Sequence, residues 1–179
     1  AALPASFAVG VGGGGAGRAP GGGGAGKRGA CCCCGRGAGL AVGMKAVVPG
    51  MVERGWGRVV NIGTGAAKFP AQVRILSGPP RAALVNYSVA VAKAVARHNV
   101  MINNILPGRF DTERLASNWA WAASRSGRSV EDHRNDTVQS IPARRLGSAE
   151  EFGHVCAFLC SVHAGYITGQ NILLDGGLI

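Results

Sequence analysis

Acidic residues are scarce in this sequence: nine Asp and Glu stand against nineteen Lys and Arg, a formal net charge of +10. Residues 1–39 hold no acid at all, only Arg18, Lys27, Arg28 and Arg36, so residues 40–179 carry fifteen basic against nine acidic residues, a net +6. The cations are scattered and no helical or zinc-based reading module accompanies them, so no nucleic-acid partner is expected. A run of eighteen apolar residues is also missing, which argues against a membrane-spanning helix. The opening AALPASFAVGVG lacks basic residues at its start and makes a poor secretory signal, so a cytoplasmic protein is expected. What is there, 179 residues of 47% hydrophobic composition, suffices for one domain with a real core.

Metal-ligand spacing is absent too. Four of the six cysteines form one run, Cys31 to Cys34, and adjacent thiols neither pair comfortably nor wrap a tetrahedral ion. Cys156 and Cys160 fall four apart in CAFLC, on one face of a helix, where cysteine behaves as a small hydrophobe. No pair of histidines has ligand spacing. His98 stands at a helix C-terminus, a position favourable to positive charge, and His154 lies within a helix.

The front of the chain differs from the rest. Residues 1–39 contain 15 of the 30 glycines, two GGGG blocks and almost no hydrophobic periodicity. A segment of that composition buries too little side chain to offset its ordering entropy, and it is expected to be disordered. Gly10, Gly12 and Gly15 match G-x-G-x-x-G, the pattern that lets a backbone approach a pyrophosphate. In so glycine-rich a tract composition accounts for the match; no helix-forming sequence follows it, and no acid stands about twenty residues on to hold a ribose.

From Leu40 the chain alternates between helical and strand patterns. GMKAVVPGMVERG places Met44, Val47, Val48, Met51 and Val52 at helical intervals, despite Pro49 and Gly50, and Gly55 and Gly57 close it. RVVNIG reads as a short strand, PRAALVNYSVAVAKAVARH as a long helix opened by a proline pair, and MINNILP as a second strand closed by Pro107 and Gly108. A polar stretch with Trp119 and Trp121 follows; two apart, these cannot share a helix face. SAEEFGHVCAFLCS is an amphipathic helix with a capping box formed by Ser148 and Glu151, and YITGQNILLDGG supplies the last strand. Alternation of this kind implies an α/β fold with a parallel sheet of about three strands, one edge bare. Ligands bind such sheets outside the carboxyl ends of the strands, here at Gly63 to Gly65 and Pro107 to Thr112.

GRVVNIGTG, PRAALVNYSVAVAKAVARHNV, NNILPGRFDTERL, RLGSAEEFGHVCAFLCS and YITGQNILLDGG, in this order and spacing, resemble the second half of the short-chain dehydrogenase/reductase family. The resemblance covers residues 40–179 and implies an incomplete doubly wound, Rossmann-like sheet, C-terminal half only. It also implies NAD(P) as cofactor, a small carbonyl or acyl-thioester substrate and a homo-oligomer formed through the long helix and the last strand. The family polarises its carbonyl with a serine and protonates it from a Y-x-x-x-K pair. Thr64 falls in the serine slot, and thirteen residues on the pair reads S-G-P-P-R, with Ser77 and Arg81 in place of tyrosine and lysine. A branch of the family resembling 3-oxoacyl-carrier-protein reductases has the same S-x-x-x-R arrangement. Gly63, Pro107, Gly108 and Thr112 match turns that contact the cofactor, the last three as P-G-x-x-x-T. Tyr87 and Lys93 do not replace the pair: six residues turn a helix through about 600°, leaving the two about 120° apart. They are expected to be a packed or interface aromatic and a solvated cation.

An aliphatic hydroxyl is a far weaker acid than a phenol, so Ser77 is the damaging departure; a plain helix N-terminal residue before Pro79 and Pro80 is the alternative. Nor does residues 1–43 contain the asparagine that the family places upstream, or its T-G-x-x-x-G-x-G loop. The abrupt join near Leu40 suggests a truncated or misread coding sequence. Two functions follow: an NAD(P)-dependent reductase in the intact parent, or a non-catalytic member.

Overall fold

A computed structural model describes residues 7–11, 38–70 and 78–179, with side chains from residue 42 onward. Cys31 to Cys34, Gly12, Gly15 and Ser77 lie outside the described residues. Four strands form one fully parallel sheet in chain order: β1 (Phe7–Val11), β2 (Gly57–Ile62), β3 (Val100–Pro107) and β4 (Asn171–Leu174). Helix α1 (Ala38–Glu53) precedes β2, and α2 (Gly78–Val95) joins β2 to β3. After β3 come α3 (Glu113–Ser126), α4 (Val130–Gln139) and α5 (Ala149–Cys160), which lead into β4.

Both faces of the sheet are covered, as parallel sheets require. Met44, Val48 and Met51 of α1, with Leu84 and Ala92 of α2, pack on Val59, Val100 and Ile102. Leu159 of α5 and Ala164 cover Val60 and Ile105 on the other face. β3 is buried from Val100 through Leu106, which explains why MINNILP is nearly continuous in apolar character. The buried stripe of α1 is narrower than its sequence spacing implies, for Val47 is exposed. The helix nevertheless runs through Pro49.

The sheet has four strands, not three, and the addition comes from the glycine-rich front. Phe7–Val11 pairs with Arg58 through Ile62 and occupies the edge of β2 expected to be bare. In that expected disordered segment, FAVGV is one of the few stretches without a glycine block, and an open strand edge offers its backbone a full set of partners. Gly10 therefore sits within a strand, not in a phosphate-binding turn.

Polar residues are also buried in this sheet, and they are ordered by register. Asn61, Asn104 and Asn171 are directly opposite one another on β2, β3 and β4. Asn61 Nδ2 donates to Asn104 Oδ1 at 3.0 Å, and Asn104 Nδ2 donates to Asn171 Oδ1 at 2.7 Å. Ser88 Oγ of α2 donates to the same Asn104 Oδ1 at 2.9 Å. The ladder thus ties three strands to α2.

The polar stretch after β3 proves to be two helices. Thr112 caps α3 and Ser129 caps α4, the latter in a reciprocal box with Asp132. Trp119 is buried and donates to Thr137 Oγ1 at 3.0 Å, while Trp121 on another face is 65% exposed. The capping box of α5 forms as expected, with Ser148 N donating to Glu151 Oε2 at 2.9 Å. Among the described residues no helix is long and apolar enough to cross a membrane.

Candidate functional site

β2 ends at Gly63, whose N–H donates to Ile105 O at 2.8 Å and so continues the ladder with β3. A Cβ at Gly63 would lie 2.8 Å from Leu106 Cδ2, so a side chain here would have to displace the tip of that leucine. Thr64 follows in extended conformation, half-buried, and its carbonyl starts the short turn Gly65–Ala67 by accepting from Ala67 N at 2.9 Å. Its hydroxyl does not cap that turn. The beginning of α2 presses on the same turn: a Cβ at Gly78 would stand 3.1 Å from Ala66 O. Arg81 follows three residues on, half-buried in the first turn of α2.

The end of β3 lies alongside. Gly108 N donates to Leu174 O at 2.9 Å, and a Cβ on Gly108 would meet Asp175 Cβ at 2.5 Å. Pro107 and Gly108 therefore seat the β3 turn against the β4 turn. Thr112 accepts from Leu115 N at 3.3 Å as the cap of α3, and it is exposed. Sequence spacing missed the contribution of the C-terminus: Asp175 accepts from Gly177 N and Ile179 N, and Ile179 packs so closely on Gly65 that a Cβ there would be 2.5 Å away. The phrase LLDGG carried that signal, as an acid followed by two glycines of positive φ.

Gly63, Thr64, Arg81, Pro107, Gly108 and Thr112 are thus arrayed along the carboxyl ends of β2 and β3 and the first turns that follow. Tyr87 is 39% exposed on α2, outside the core and available to an interface, and Lys93 is exposed as expected, because Ser88 and Ala92 occupy the buried face. Cys156 and Cys160 are half-buried against the α5 face of the core, and burial with the neighbouring thiol pushes Cys160 up to about 11. Such a thiol is a packing group at neutral pH. Among the described residues no three of His, Cys, Asp and Glu are grouped to hold a metal ion.

A family model described as enoyl-(acyl carrier protein) reductase matches residues 37–179, that is, every element from α1 to the C-terminus. The chain belongs to the short-chain dehydrogenase/reductase family. It is 34% identical over 134 residues to the acetoacetyl-CoA reductase of Cupriavidus necator, covering 75% of this chain and 50% of that one. A solved NADPH-dependent reductase involved in bacilysin biosynthesis superposes with a TM-score of 0.75 at 30% identity, over 80% of this chain and 55% of the other. A 3-oxoacyl (acyl-carrier-protein) reductase from Agrobacterium tumefaciens with NADP bound gives 0.69 at 31% identity, over 79% and 52%. The chain spans about half the length of the relatives it matches.

The family implies a nicotinamide cofactor. A hydroxyl at Thr64, a guanidinium at Arg81 and a hydroxyl at Thr112 are a donor set suited to a ribose and a carboxamide. The glycines offer no comparable cradle for a diphosphate, since packing on Leu106 and Asp175 fills the space beside Gly63 and Gly108.

Proposed function

We propose that the intact parent protein is an NAD(P)-dependent reductase of a ketone or 3-oxoacyl thioester, with residues 40–179 as its substrate-side half. The observation that supports this most is the close approach of Gly78, at the start of α2, to Ala66 in the turn after Thr64, which brings the first turn of α2 up to the end of β2. The Thr64 hydroxyl donates to the carbonyl oxygen and stabilises the negative charge that builds there. Arg81 holds a ribose hydroxyl and supplies positive charge beside the same oxygen. Ser77 passes a proton, through water, to that oxygen as it becomes a hydroxyl. The reduced nicotinamide, when bound, supplies the hydride to the carbonyl carbon. Pro107, Gly108 and Thr112 hold the carboxamide end, and Thr112 does so while capping α3. The proposal includes a cytoplasmic location and self-association through α2 and β4.

A second reading, a non-catalytic member that keeps the fold, is favoured by the proton donor itself. An arginine cannot tune a neighbour by giving up its own proton, and a serine is a poor acid. Loss of a positioned general acid forfeits about 10² to 10⁴ in rate. Oxidation of NADPH in the presence of acetoacetyl-CoA, with the native chain and with Ser77→Tyr plus Arg81→Lys, separates the two. A working S-x-x-x-R site predicts turnover by the native chain and its loss in the double variant. A gain of tenfold or more in the variant would show the native slot to be crippled and establish the second reading.

A further inference from the structure

Beside the proposed site a cleft of about 440 Å³ opens between α4 and the start of α5, bordered by Asp111, Arg134, Val138, Arg144, Arg145 and Ser148. Asp111 is the residue immediately before Thr112, so the cleft adjoins the turn that ends β3. Three cations line it against one carboxylate, and they are not equivalent. Arg145 is engaged in a bidentate pair with Glu151 at 2.6 and 2.8 Å. Arg134 touches Glu131 only at 3.5 Å and is 47% exposed. Arg144 donates through Nη1 to Gln139 O and Oε1, both uncharged acceptors, so no carboxylate neutralises it.

Arg144 is unusual in its backbone as well. Its φ is 55°, and among the described residues only Asn99 shares a positive φ without being glycine. Asparagine tolerates the left-handed region readily and arginine does not, so the structure keeps a strained residue where glycine would be at ease. Strain of this kind, observed first, points to a role for the side chain.

We infer that Arg144 and Arg134 form an anion-binding site in this cleft, and that its ligand is a phosphate or diphosphate group. A guanidinium with unspent N–H donors matches two phosphate oxygens at once, and the three arginines outweigh the Asp111 carboxylate on the rim. The diphosphate belongs to the carrier arm of a thioester substrate; this attribution rests on the reductase reading above, whereas binding of the anion does not.

Calorimetric titration of the full chain with inorganic pyrophosphate at 50 mM salt tests the site. Saturable binding is expected, weakened at least tenfold by Arg144→Gly and again by Arg134→Gln, with Lys93→Gln, an exposed cation on the far helix, as an unchanged control. Arg144→Gly must also melt no lower than the native chain, because glycine relieves the backbone. Absence of saturable binding, an unaltered affinity in Arg144→Gly, or an equal loss in Lys93→Gln would overturn the site. Coenzyme A binding tenfold tighter than pyrophosphate through the same arginines supports the carrier arm, and equal affinities would replace it with a free phosphate. Arginine-dependent binding without any NADPH-dependent turnover would remove the reductase reading and leave the anion site standing.

Discussion

Glu151 shows how much one side chain can coordinate while remaining in solvent. It closes the capping box of α5 by accepting from Ser148 N, and it receives both guanidinium nitrogens of Arg145. Those bonds, the arginine first, hold its carboxyl down at about 2 against an ordinary 4.5. A carboxyl whose folded pKa is depressed stabilises the fold fully above its unfolded pKa and loses that contribution as the pH falls through the folded one. The contribution of Glu151 is therefore complete above pH 4.5 and gone once the pH passes below about 2. Urea midpoints measured from pH 5.5 to 2 should fall less steeply in Glu151→Gln than in the native chain; parallel curves would show that the pair is idle in solution. Arg58 is the opposite case, 2% exposed and satisfied by carbonyls. It donates to Gly57 O, Asn99 O and Ser161 O at 2.9 to 3.1 Å and lies 5.0 Å over the Trp56 ring. Burial lowers its pKa, yet an arginine keeps its charge, and that charge stitches the end of α5 to the start of β2.

At the scale of elements, the sheet is aligned by polar groups as much as by apolar ones. A one-residue slip of β3 would send Asn104 to the α5 face and separate it from Asn61, Asn171 and Ser88 at once. Asn104→Ala removes the shared partner of Asn61, Asn171 and Ser88; Ser88 still donates to Leu84 O, while buried Asn61 keeps only Met44 Sδ, and a loss of about 1–3 kcal/mol is expected from chemical denaturation. A loss below about 1 kcal/mol would mean that water replaces the ladder. The elements legible in the sequence were those with a local signal: the period of β2 and β3, the proline pair in the first turn of α2, the Ser148–Glu151 box. The helices α3 and α4 were obscured by their polarity, although Thr112 and Ser129 with Asp132 already wrote their caps. β1 could not be read locally, because its order depends on an edge of β2 contributed fifty residues later. Likewise Gly108 read as part of a ligand turn in sequence, and only the packing against the Asp175 backbone shows that the fold itself calls for a glycine there.

At the scale of the whole molecule, two covered faces and four parallel strands place the ends of β2 and β3 side by side, where doubly wound sheets hold their ligands. The family is settled by residues 37–179, while the chain spans about half the length of its relatives. At the ends of these strands Gly108 is committed to packing on Asp175. The central claim is that Gly63, Thr64, Arg81 and the turn from Pro107 to Thr112 form one ligand site. Amide chemical shifts of the ¹⁵N-labelled chain, followed during titration with NADPH, test it most directly. The account predicts saturable shifts at Gly63, Thr64, Arg81, Gly108 and Thr112, with Tyr87 and Lys93 unmoved. Shifts confined to other residues, or none at all, would contradict it.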